Sequence, residues 1–266
     1  MMERTTSASL RQSISLEGKV ALVVGGYGAI GTGISEMLAS AGAFTVVTGR
    51  DGERARELAT QLAKDGYPAE GRAFDACDVG AVRHHISDLA EQCGSIDILV
   101  NCTGFNKEQP LLDVTEEAFD EVYSRTLRPG MFLSQAVATH QIRDRRGGSQ
   151  IHLLSIRSFL GFRNRGYSSF CAAKGGLAAL IKQQATELAS YGITVNGVAP
   201  GLVRTRKNEK SFESPEIWER AVADIPLGRL ATPSDVAGAV LFFASSYSRF
   251  ATGQILHVDG GVTACT

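Results

Sequence analysis

Between residues 26 and 31 the chain reads Gly26-Tyr27-Gly28-Ala29-Ile30-Gly31, three glycines spaced as G-x-G-x-x-G. Glycines at that spacing permit a tight turn and let the backbone approach a pyrophosphate, which then rests on the N-terminus of the following helix. The motif carries weight only between a strand and a helix. Here "KVALVVGG" (19–26) is an aliphatic strand run, and "AIGTGISEMLASAG" (29–42) has helical spacing that stops at a glycine. The expected ligand is a dinucleotide held by Gly25, Gly26, Tyr27, Gly28, Ile30 and Gly31. Which dinucleotide depends on the tip of the second strand, where an acidic side chain bonds the ribose hydroxyls of NAD. That tip reads Thr48-Gly49-Arg50. A guanidinium suits a 2′-phosphate through paired, charge-assisted bonds, so Arg50 favours NADP(H) over NAD(H). Asp51, one residue later, is the group that could still turn in.

These residues need a frame, and the hydrophobic pattern predicts one. Strand runs at 19–26, 44–50, within 69–79, 96–104, 149–155, 193–201 and 254–261 alternate with helical stretches at 29–42, 51–66, 81–94, 115–146, 168–190 and 233–245. Such β-α-β alternation implies a doubly wound parallel sheet of about seven strands, of Rossmann type, with helices on both faces. Residues 115–146 read as one long helix. His84 and His85 read as solvated positions on an ordinary helix. Nothing in the chain suggests a second domain, so 16–266 is expected to be one unit, preceded by a mostly disordered arm over residues 1–15.

Composition narrows the function classes. With 44% apolar and 21% charged residues, the 266-residue chain reads as globular. A net charge of -1 gives no support for nucleic acid or a membrane surface as partner. Five scattered cysteines, without C-x-x-C or histidine at ligand spacing, argue against a metal site or a disulfide framework. They favour a reducing, cytoplasmic compartment. The first residues lack the apolar stretch of a signal peptide, and no run is long enough to span a bilayer.

Several separated motifs, in order, resemble the short-chain dehydrogenase/reductase family from Leu16 to Val262. "VVGGYGAIG" (23–31) is similar to V-T-G-x-x-x-G-I-G. "CDV" (77–79) resembles the Asp-Val pair beside the adenine, and "ILVNCTG" (98–104) resembles I-L-V-N-N-A-G. "VNGVAPGLVRT" (195–205) is similar to V-N-x-V-A-P-G-x-x-x-T. The resemblance adds Asp78, Val79, Asn101, Gly104, Pro200, Gly201, Val203 and Thr205 to the cofactor site. It implies hydride transfer between nicotinamide and a small carbonyl or alcohol substrate, in a homo-oligomer, expected to be a tetramer.

In that family a Tyr-x-x-x-Lys pair shares one helical face. The lysine lowers the tyrosine pKa and bonds the nicotinamide ribose, and the tyrosine exchanges a proton with the substrate oxygen. "GYSSFCAAKGG" (166–176) keeps Lys174 but has Phe170 at the tyrosine position. Ser155 is the first choice for the serine that bonds the carbonyl, because "SIRS" (155–158) resembles one subgroup's S-V-R-G. Ser158 is the second choice, and the loop on to Phe170 is slightly longer than usual. Thr126 falls where the relay asparagine stands. Four readings of Phe170 are open: a tyrosine deliberately replaced, a native phenylalanine with Tyr167 as replacement donor, a retained cofactor serving another reaction, or a non-catalytic NADP-binding protein. For the substrate side, Arg157, Arg163, Arg165, Arg204, Arg206 and Lys207 could meet a carboxylate or phosphate. Tyr167, Trp218 and Phe212 could cover an apolar part.

Overall fold

The computed structural model describes residues 14–206 and 208–265. The predicted arm lies outside the described residues up to residue 13, as does Lys207. Seven strands form one parallel sheet in the order β3-β2-β1-β4-β5-β6-β7. They are β1 (Val20–Val24), β2 (Phe44–Gly49), β3 (Ala69–Ala73), β4 (Ile98–Asn101), β5 (Gly148–Leu153), β6 (Ile193–Pro200) and β7 (Ile255–Val258). The helices are α1 (Gly31–Ser40), α2 (Gly52–Lys64), α3 (Val79–Cys93), α4 (Glu116–Thr126), α5 (Arg128–Asp144), α6 (Ser168–Leu188), α7 (Pro215–Ala223) and α8 (Pro233–Ala244).

Strand β1 shows why the central strands read as unbroken apolar runs. Every residue of it is buried, because helices cover both faces of the sheet. Ala21 and Val23 join the core built with α1 and α8, where they meet Ile34, Leu38, Val236 and Val240. Leu22 and Val24 point the other way, into a core with Ile86 and Leu89 of α3 and Leu133 and Val137 of α5. A third core, from Leu177 and Ile181 of α6 with Val195 and Ala199 of β6, seats α6 on the sheet.

The strand order reverses between β1 and β4, which pair in register from Ala21↔Ile98 to Val24↔Asn101. The chain leaves β1 toward β2 on one side, while β4 continues to β5 on the other. A crevice opens at such a switch point, beyond the carboxyl ends of the strands, where this fold class binds ligands. Val24 and Asn101 end their strands beside each other there.

Two expectations are corrected. Residues 115–146 form two helices, broken at Leu127, because Pro129 has no N–H to return to the Arg125 carbonyl. Flanking bonds from Leu127 N–H to the Tyr123 carbonyl (3.0 Å) and from Met131 N–H to the Leu127 carbonyl (3.4 Å) keep the two nearly continuous. His84 is exposed beside Asp88, but His85 is half-buried and stacks on Phe74 at 4.7 Å. Helix α7 arises inside a stretch where the sequence pattern predicts no element. Among the described residues no helix is long and apolar enough to cross a membrane.

Candidate active site

The glycine turn begins as β1 ends. Gly25 takes φ +78°, a conformation that L side chains rarely adopt. Its N–H and that of Gly26 both donate to the Thr48 carbonyl, at 2.8 and 3.0 Å, which pins the turn to the tip of β2. A Cβ on Gly31 would run into the Gly25 carbonyl, so α1 starts hard against the turn. The helix N-terminus, with its uncompensated N–H groups, thereby faces the switch-point crevice. This cradle accommodates a diphosphate: a side chain at Gly25 or Gly31 would strain or block it.

At the tip of β2, Tyr27 lies across Gly49, where a Cβ would meet its ring and hydroxyl at 2.5–2.7 Å. The Tyr27 hydroxyl accepts the Asp51 N–H at 2.8 Å. The Asp51 carboxylate caps α2, accepting from the N–H groups of Glu53 (3.1 Å) and Arg54 (3.2 Å). One of its two oxygens, Oδ1, is thus committed to the start of the helix. Arg50 is exposed and has no protein partner among the described residues. Arg54 holds its guanidinium over the Tyr27 ring at 4.8 Å. Sequence reasoning missed Arg54, although its place four residues after Arg50, in the first turn of a helix, was a usable signal. Asp78 is the N-cap of α3, with its Oδ1 accepting the Ala81 N–H at 3.0 Å, and Val79 is the first residue of that helix.

Lys174, on α6, reaches the carboxyl ends of β4 and β5 and is only 3% exposed. Its Nζ donates to the carbonyls of Leu153 (2.5 Å) and Thr103 (3.4 Å). Gly104 makes room for it, since a Cβ there would sit 3.2 Å from Nζ. Burial pushes the ammonium pKa down to about 8. An ammonium has three N–H donors, so one remains after the two carbonyls. Phe170, one turn earlier on α6, places its ring centroid 6.0 Å from Nζ. Ser155 stands two residues beyond Leu153, and its Oγ accepts the Arg157 N–H at 3.2 Å, which leaves its own proton to donate. The Ser158 Oγ is buried with no hydrogen-bond partner among the described residues.

Thr126 is fully buried at the end of α4. Its hydroxyl accepts the Phe105 N–H and donates to the Phe105 carbonyl, both at 3.1 Å. The side chain is thus committed to holding the loop after β4. Asn101 has a similar supporting role: its Oδ1 accepts from the Thr103 N–H (3.0 Å) and hydroxyl (2.6 Å). Its Nδ2 lies 3.2 Å from the Nδ1 of His152. Because the amide must donate, Nδ1 accepts and the imidazole proton sits on Nε2, which has no partner among the described residues. His152 is fully buried on β5, and burial followed by the Lys174 charge lowers its pKa to about 4. An internal histidine in a strand carries no sequence signature that separates it from core, and the sequence reading passes over it.

On the β6 side, Gly201 N–H donates to the Val258 carbonyl at 3.0 Å. Val203 forms a parallel bridge with Ala231. Thr205 N–H is held by Asn208 Oδ1 at 2.7 Å, and Asn208 Nδ2 donates to the Val203 carbonyl at 2.9 Å. Pro200, Gly201, Val203 and Thr205 therefore leave the end of β6 as an ordered ledge beside the crevice.

The outer wall is aromatic. Tyr167 meets Phe170 edge-on at 6.0 Å, and Phe162 meets Tyr167 the same way at 5.3 Å. The Tyr167 hydroxyl is 3.2 Å from Arg165 Nη2, and Arg165 grips Glu108 with two bonds of 2.5 Å. Gln109 N–H donates to the Gly166 carbonyl at 3.1 Å. The loops after β4 and β5 are thus joined at two neighbouring points. Trp218 packs edge-on against Phe212 at 6.4 Å on the segment around α7. Among the described residues no ring contact joins it to Phe170 or Tyr167.

Comparison with known proteins gives this arrangement its class. A family model described as Enoyl-(Acyl carrier protein) reductase matches residues 26–263. The 3-oxoacyl-(acyl-carrier-protein) reductase FabG of Vibrio harveyi is 32% identical over 249 residues, covering 94% of this chain and 99% of that protein. Gluconate 5-dehydrogenase of Gluconobacter oxydans is 32% identical over 249 residues, covering 94% and 96%. A gluconate 5-dehydrogenase from Burkholderia cenocepacia, solved in complex with NADP and tartrate, superposes with a TM-score of 0.91 at 32% identity, over 97% of this chain and all of that one. The chain belongs to the short-chain dehydrogenase/reductase family, a family of oxidoreductases.

His152 makes the site sensitive to acid. Its folded pKa of about 4 lies below the ordinary 6.5, so an unfolded chain takes up a proton that the folded one refuses. Stability from this residue is therefore lost as pH falls from about 6.5 to about 4, by about 3 kcal/mol in all. Urea unfolding across that window should show a shallower decline in His152→Asn than in the unaltered protein. Parallel curves would show that His152 does not carry the effect.

Proposed function

We propose that the protein is an NADP(H)-dependent oxidoreductase acting on a ketone or secondary alcohol, with an altered proton path because Phe170 stands at the acid/base position. The observation that carries this reading is the convergence of the glycine turn, Lys174 and Ser155 at the switch-point crevice. The NADP bound by the Burkholderia relative supports the cofactor assignment. So do Arg50 and Arg54, two cations at the tip of β2, the second of them stacked on Tyr27. When bound, the nicotinamide supplies or accepts the hydride. The turn from Gly25 to Gly31 holds its diphosphate, Asp78 and Val79 border the adenine, and Lys174 bonds the nicotinamide ribose. Ser155 donates its hydroxyl to the substrate oxygen, and Phe170 keeps water from the face that a phenol would occupy.

A phenyl ring transfers no proton, so another group must. Tyr167 is the favoured replacement: its ring touches Phe170, and its oxygen, while near Arg165, retains a proton to give. General acid catalysis is worth about 10²–10⁴-fold, so this site should turn over slowly rather than not at all. Phe170→Tyr should raise the rate of NADPH oxidation with a suitable ketone by about that factor. Tyr167→Phe should abolish the residual rate in the unaltered background and matter little when combined with Phe170→Tyr. A panel of carbonyls that none of these forms reduces, despite NADPH binding, would leave a cofactor-binding protein in place of an enzyme.

Cofactor choice has its own test. NADPH should bind more tightly than NADH, and the double change of Arg50→Ala with Arg54→Ala should erase most of the difference in fluorescence titrations. Equal affinities in the unaltered protein would remove the assignment.

A homo-oligomer, with a tetramer as the expected form, accounts for the apolar surface. Phe119 and Tyr123 on α4 and Met131 on α5 are all more than 40% exposed, and so is Leu256 on β7, the strand at one edge of the sheet. Light scattering at micromolar concentration should give a multiple of the single-chain mass; a particle of one chain's mass contradicts this reading.

A further inference from the structure

We propose that Arg157 receives a carboxylate of the substrate, so that the site selects oxo acids and the corresponding hydroxy acids. The proposal rests on the oxidoreductase reading for its site and goes beyond it in naming the substrate class.

Charge pairing sorts the arginines around the crevice. Arg165 is matched by Glu108, Arg125 by Glu121 at 2.8 Å, and Arg204 by Glu209 at 3.1 Å. Arg157 has no carboxylate within 4.0 Å among the described residues, yet it is half-buried. Its Nη1 donates to the Gly161 carbonyl at 2.5 Å, and its guanidinium lies over the Phe162 ring at 3.9 Å. Packing has therefore fixed the group and stripped part of its water without supplying an anion. Burial lowers its proton affinity accordingly. A guanidinium held this way is a preorganised anion receptor, because the cost of ordering it is met before the ligand arrives.

Its position connects it to the reacting centre. The Arg157 N–H bonds the Oγ of Ser155, so the side chain departs two residues from the hydroxyl that would meet the substrate oxygen. From Phe162 the aromatic row runs through Tyr167 to Phe170, beside Lys174. A ligand along that row would present its carbonyl at Ser155 and its acid group at Arg157. The planar fork of free N–H groups fits a carboxylate with two parallel bonds. A phosphate, with up to twice the charge, would call for a second cation, and Glu108 already neutralises the nearest one, Arg165. Arg163, exposed on the same loop and without a protein partner among the described residues, is what an ordinary solvated arginine looks like here.

The test measures binding, with turnover read separately. Full-length protein, with and without NADPH, is titrated calorimetrically with short oxo acids carrying the carbonyl two to four bonds from the carboxylate. Their methyl esters and phosphonate analogues are titrated alongside. The acids should bind roughly 10- to 100-fold more tightly than the esters. Arg157→Met should remove that gap, Arg157→Lys should keep part of it, and Arg163→Met should leave it intact. NADPH affinity unchanged in Arg157→Met would show that the fold survives. Equal binding of acid and ester, a gap that persists in Arg157→Met, or a preference for the phosphonate would each overturn the proposal. Selective acid binding without reduction of any member would remove the oxidoreductase reading and leave the receptor standing. Reduction of neutral ketones with no acid preference would do the reverse.

Discussion

One buried ammonium organises this site. Lys174 comes from α6, yet its bonds go to Leu153 at the end of β5 and Thr103 after β4. An ammonium taken out of water is costly unless its hydrogen bonds are satisfied. The two carbonyls provide this without a carboxylate beside them, and burial lowers the pKa to about 8. The ends of two strands, the start of a helix and the absence of a side chain at Gly104 must agree for Nζ to fit. Asn101 and His152 form the next tier, setting the backbone at Thr103 and the strand beside Leu153.

Among the positions where the chain departs from the motifs it resembles, Thr126 and Phe170 are the two to which the resemblance assigns catalytic places, and these departures differ in kind. Thr126 keeps a structural function, since its hydroxyl closes on both backbone groups of Phe105. Phe170, in the proposed reading, loses a chemical function while keeping the shape that packs against Tyr167. The first change preserves the scaffold of the crevice and the second alters only what can happen inside it. On that reading, binding and proton transfer are separable properties in this protein.

The fold was legible because both faces of the sheet are covered, which makes β1 a continuous apolar run and leaves β4 aliphatic up to its last residue, Asn101. The glycine turn was legible for a related reason: positions such as Gly25 and Gly31 tolerate nothing larger. Where a signal depends on one residue's partners, the sequence was silent. The break at Leu127 could have been taken from Pro129, but the apolar spacing continues across it and masks the effect. That Asp51 caps a helix depends on how the backbone turns after β2, not on composition. His152 and Glu108 belong to the site through strand register and a loop-to-loop ion pair, and neither leaves a local pattern. The charge state of Arg157's surroundings, likewise, exists only once the loops are folded against each other.

The double junction between the loops after β4 and β5 has a mechanical consequence. Arg165 with Glu108, and Gly166 with Gln109, fasten one rim of the crevice into a single brace. A brace of this kind transmits displacement: a shift in the loop that carries Phe105 is felt by the loop that carries Phe162 and Tyr167. The rim on this side therefore moves as one piece, whereas the tryptophan of the segment around α7 packs on its own neighbour Phe212 and, among the described residues, makes no ring contact with the braced wall.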